Sequence, residues 1–260
     1  MHFVRQLCAP FEGGGPDRVL HERRWLGCCL IVIVVGGAAY GATMGLMTGG
    51  KQVVYAAIKF PLVLLLTNGA NVLINGMLAQ VMGVPIRFGQ SARCLITAYA
   101  LMTLILAAWI PVILFIFYHL PGYDPAVSVQ ADGVDQMWEA VRGNSVWKLS
   151  HVPLIAAAGI LAHLQLYRLL TRMAPVNRAR KLLAAWLAIN LFLGAQISFI
   201  LRPYFVSPGH VVEFIRPTAF QGNFYETMGH AARDVALGKG RWTEKRPRPK
   251  SEPFSGNRID

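Results

Sequence analysis

Three carboxamides, Asn68, Asn71 and Asn75, recur inside one apolar run, 59–82. At roughly 100° per residue they fall within an arc of about 60° on a helix. A carboxamide donates and accepts hydrogen bonds but does not ionise, so this stripe can join helices or line a polar path. It cannot face lipid, because an unpaired amide in hydrocarbon costs several kcal/mol. Four further candidates among the polar side chains within or beside apolar runs are Lys59, His163, Asn190 and Gln196. His163 reads as a neutral histidine bonded to a neighbouring helix, with a proton-relay or ligand role as the sharper alternative. Lys59, just before Pro61, reads as a snorkelling side chain at the start of its span, with an ion pair or substrate contact as the alternative.

Catalytic chemistry finds less support. The apolar runs contain no Asp or Glu, and GxSxG, HExxH and P-loop patterns are missing. His163 would share a membrane half with Cys28, Cys29 and Cys94, but no CxxC or similar ligand spacing accompanies them. The expectation is therefore a protein that is not an enzyme, with no metal and no cofactor. The cysteines read as reduced structural thiols.

The composition names the class. Apolar residues make up 54% of 260 and charged residues 15%, where a soluble domain carries about 25% charged. Mean hydropathy is +0.42 and the pI is near 10.0. Lys and Arg outnumber Asp and Glu by 25 to 13, but they gather at the ends of apolar runs and in a polar tail, as orientation signals do. No nucleic-acid partner is expected; the lipid bilayer is.

Five spans are predicted, at about 25–47, 60–82, 94–118, 149–170 and 182–201, in an all-α polytopic transmembrane bundle with interfacial amphipathic helices. The first span follows a cytoplasmic segment, 1–24, and carries Gly37, Gly41 and Gly45 at four-residue steps. Such a ridge admits close helix packing, within the chain or between copies. A cleaved signal over about 1–42 is the rival reading of this region. A short glycine turn, 48–52, leads to the second span, with Pro61 in its first helical turn. Pro111 predicts a kink in the third. Between the third and fourth, Val134, Met137, Trp138 and Val141 recur at helical spacing, which predicts an amphipathic helix on the membrane surface or a lid. The fifth span places Asn190, Gly194 and Ser198 on one side, a close-packing face, with Gln196 pointing elsewhere. Residues 202–238 are aromatic-rich and interfacial, with a capping box at Asn223 and Glu226. A re-entrant segment near 211–220 is the alternative there. The basic tail, 239–260, has the composition of a disordered segment.

Placing the N-terminus in the cytoplasm puts Arg168, Arg172, Arg178, Arg180 and Lys181 inside and the acidic 119–148 connection outside. The expected location is the bacterial inner membrane.

The Lys59-Phe60-Pro61 lead-in to the second span, the short early turns, and the closing motifs Arg202-Pro203-Tyr204-Phe205, Ser207-Pro208-Gly209 and Gly222-Asn223-Phe224-Tyr225 resemble bacterial members of the Yip1-like membrane superfamily, over roughly 23–232. In eukaryotes that resemblance implies vesicle traffic and small-GTPase partners, but no GTPase-binding motif is present. The functional expectation is a scaffold, assembly or membrane-organising protein whose partners are other membrane proteins or further copies of itself. The alternative is a transporter or channel subunit with a path lined by Asn68, Asn71, Asn75 and His163.

Overall fold

The computed structural model describes residues 7–8, 22–46, 50–84, 86–119, 134–201, 214–215 and 223–226, the side chains of 134–146 and 148–149 excepted. Two compact units result. Within the first, Met1–Phe220, six long helices follow one another among the described residues: α1 Arg23–Met44, α2 Lys51–Val81, α3 Phe88–Ala108, α4 Ile110–Tyr118, α5 Val134–Met173 and α6 Val176–Leu201. Among the described residues five helical stretches are long and apolar enough to cross a membrane, α3 and α4 together making one of them. The protein is an all-α transmembrane bundle. From the second unit, Gln221–Asp260, one helical turn at 224–226 is described; Asn223 Oδ1 accepts the Glu226 N–H at 2.7 Å, half of the expected capping box.

Glycine chemistry sets the first hairpin. Gly50 (φ 50°) reverses the chain before α2, in the region open to a residue without Cβ. A Cβ built on Gly41 would stand 2.5 Å from the Ala56 carbonyl oxygen and 2.7 Å from Phe60 Cβ, and one on Gly45 would meet Val53 Cα at 2.6 Å. The ridge is thus spent inside the chain, backbone against backbone of α2. At the other end of α2, Gly83 (φ 64°) closes the helix. The Val84 N–H bonds the Ala79 carbonyl and the Gly83 N–H that of Gln80, both at 3.0 Å, which is a Schellman end with its apolar pair buried.

Four sequence expectations change. The helix of the second span begins at Lys51 rather than near 60, so Pro61 is an interior residue and not part of a first turn. Its ring lies against Gly37, whose built Cβ would be 3.2 Å from Pro61 Cβ. Lys59 is buried at 4% exposure instead of snorkelling; its Nζ lies 5.2 Å from the Phe214 ring centre and 5.9 Å from that of Tyr55. The stretch predicted to lie on the membrane surface, 134–141, is instead the start of α5, continuous to Met173 with Pro153 inside. With no terminating glycine geometry between them, the helix runs on. The kink expected at Pro111 falls at Trp109, between α3 and α4, since proline offers no N–H to the preceding turn.

The core is built where α1 and α2 pack on each other and on α3, with α5 against α3 and α6 against α2. Trp25 Nε1 donates to Thr97 Oγ1 at 3.1 Å, and Arg93 to the Glu22 carbonyl at 2.9 Å, so the starts of α1 and α3 lie together. Arg178 donates to the Gly83 carbonyl at 2.9 Å. That contact sets the start of α6 beside the end of α2, and it collects Arg23, Arg93, Arg172 and Arg178 at one end of the bundle. Outward faces are apolar, with Ile31, Leu73, Phe115, Ile160 and Leu191 all more than half exposed. Lipid is the matching environment.

Candidate functional site

The asparagine stripe of α2 lies in the middle of the bundle. Asn68, Asn71 and Asn75 are 3%, 0% and 0% exposed. Asn71 Nδ2 donates to Asn190 Oδ1 of α6 at 2.6 Å and approaches the Tyr99 hydroxyl of α3 at 3.4 Å. The Tyr99 hydroxyl in turn donates to Asn190 Oδ1. Three helices therefore meet through one carboxamide oxygen that accepts from two donors. Interhelical hydrogen bonds of this kind contribute about 0.6–2 kcal/mol each in a membrane.

The stripe is only partly satisfied. Among the described residues, Asn68 Oδ1, Asn71 Oδ1, Thr67 Oγ1 and both ends of the Asn75 carboxamide are buried without a hydrogen-bond partner. Gly194 faces this region from α6, its built Cβ 3.6 Å from Thr67 Cγ2. Gly194 thus leaves room between the two helices, and Gln196 on the same helix is half-buried.

His163 is not joined to a neighbouring helix by the bond described for it. Its Nδ1 pairs with the Gly159 carbonyl of its own helix at 2.7 Å. A carbonyl can only accept, so Nδ1 carries the proton and Nε2 is left as the acceptor. The ring lines a small recess between α3, α5 and α6, together with Tyr99, Trp186 and Asn190. His163 therefore stands near the amide cluster without a bond to it. Lys59 stands apart, among the aromatic rings already described.

Sequence reasoning missed Tyr99, which converts two separate amide faces into one cluster. In the predicted third span, 94–118, Tyr99 falls near the start, where a tyrosine is ordinary at the interface, so the sequence carries no signal for it; α3 begins at Phe88, which sets Tyr99 well inside the helix. A second buried pair was also missed: the Tyr40 hydroxyl and His151 Nδ1 are 2.9 Å apart, with the Phe60 ring tilted against Tyr40 and the Trp147 ring edge-on to His151.

Among the described residues no group of three or more His, Cys, Asp or Glu could hold a metal ion. The thiols of Cys29 and Cys94 are buried, and those of Cys8 and Cys28 exposed. Comparison with protein-family models, with curated proteins and with solved structures finds no match to this chain.

Proposed function

We propose that this integral membrane protein is a non-enzymatic scaffold or assembly factor of the bacterial inner membrane, with its N-terminus in the cytoplasm, and that its motif resemblance to Yip1-like proteins reflects a shared architecture. The observation that supports a scaffold is the closed cluster of Asn71, Tyr99 and Asn190, in which central polar groups bind helices to one another. The glycine ridge is occupied within the chain, so self-association or partner binding uses the apolar outward faces. The gathering of arginines at one end favours that end in the cytoplasm.

Extraction in a gentle detergent tests the scaffold role directly. A stoichiometric membrane partner, or a defined homo-oligomer, is the expected result; a lone monomer at native expression level would refute it. The transport reading draws on the unpaired atoms of Asn68 and Asn75. Cysteines placed at 68, 71 and 75 in a background lacking the native thiols separate the two. Protection from a membrane-impermeant thiol reagent is expected, and labelling would establish a water-filled path instead.

A further inference from the structure

The recess between α3, α5 and α6 has a volume of about 20 Å³, against the roughly 10–15 Å³ that one water needs. Its walls are largely apolar, Met102 and Leu166 among them, and no charged side chain lines it. An ion is therefore a poor occupant. Three polar groups of its lining residues make no hydrogen bond among the described residues, and one of them, the Trp186 indole, is also fully buried. The indole N–H of Trp186 is buried without a partner, on a side chain 1% exposed. The amino end of Asn190 carries no bond, both described bonds going to its oxygen. His163 Nε2 is an acceptor because Gly159 fixes the proton on Nδ1. Trp186 and Asn190 are one helical turn apart on α6, while His163 belongs to α5.

Two donors and one acceptor on the residues lining a water-sized space call for a group that both accepts and donates. A carbonyl oxygen would answer the indole and leave the imidazole lone pair bare. We propose that this recess holds a hydroxyl oxygen, from a water molecule or from the alcohol head of a membrane-dissolved amphiphile, accepting from Trp186 Nε1–H and donating to His163 Nε2. The occupant ties α5 to α6 at mid-membrane. This inference is independent of the scaffold role and stands or falls by itself.

The test uses the full chain with 15N-labelled tryptophan in phosphatidylcholine nanodiscs, whose lipid has no hydroxyl group. The Trp186 indole signal is identified as the one lost in Trp186→Phe, out of six tryptophans in the chain. A dipolar contact between that indole proton and water is expected. If the contact is missing in pure phosphatidylcholine but a contact to the alcohol forms on adding 1-dodecanol, the amphiphile is the source. His163→Leu should abolish the contact while the other indole signals keep their positions, and His163→Gln, which retains an acceptor, should preserve it. Neither water nor dodecanol contact in the native chain would overturn the site. Survival of the contact in His163→Leu would overturn the role given to the imidazole.

Discussion

The second and last spans make opposite use of similar apolar composition. In the most apolar stretch of α2 44% of the residues are buried inside the molecule, and in that of α6 only 6%. Hydrophobicity does not separate them, because lipid tails are as apolar as leucine and give helices no reason to leave them. The difference lies in what faces each helix. Against α2, the glycines of α1 let two backbones touch, so its N-terminal half is enclosed by close approach. Against α6 the described residues show no comparable ridge; Gly194 leaves ordinary van der Waals space, and Asn190 makes the tie. Enclosure in this bundle follows small residues and amides, not greasiness.

Gly41→Leu should break the comparison hardest. Its first added carbon already lands 2.5 Å from the Ala56 carbonyl oxygen, so the overpacking should reach about 3 kcal/mol or more. Loss of the monodisperse peak in size-exclusion chromatography is the expected readout; a native profile would mean that α1 and α2 are not in backbone contact. Next comes Asn190→Ala, which removes the acceptor shared by Tyr99 and Asn71 and should cost about 1–3 kcal/mol. In a double-mutant cycle with Asn71→Ala, followed by denaturant unfolding in bicelles, a coupling of about 0.6–2 kcal/mol is expected. Strict additivity would show that the cluster does not hold α6. The smallest effect belongs to Gly194→Ala, where the new methyl meets Thr67 Cγ2 at 3.6 Å. Stability should change by no more than about 0.5 kcal/mol, and a large loss would make α6 resemble α2 after all.

Much of this fold was legible because bilayer physics is strict. Twenty-odd apolar residues announce a span, and three asparagines on one arc must turn inward, as Asn68, Asn71 and Asn75 do. Helix limits were less legible. The segment before Lys59 carries Lys51, Gln52 and Tyr55, a mixture that reads as interface, yet its buried face meets the glycines of α1. The run before the fourth span looked amphipathic and separate, but nothing in it stops a helix. The candidate site was half visible. Asn71 and Asn190 could be picked out as amides needing partners, whereas their meeting depends on which helices are neighbours, a tertiary fact that single-span periodicity does not contain. Tyr99 was hidden for the same reason. His163 reads as a cross-helix glue and instead bonds the Gly159 carbonyl, one turn back on its own helix.

The guanidinium of Arg178 on the Gly83 carbonyl has a consequence for this loosely covered last span. Arg178 and Asn190 are twelve residues apart on one helix, about 18 Å along its axis, and project about 120° from each other around it. A rod fastened at a single point can still roll and swing. Fastened twice, at different heights and bearings, it has its tilt and its roll fixed together, so α6 can hold one heading with few of its residues fully enclosed.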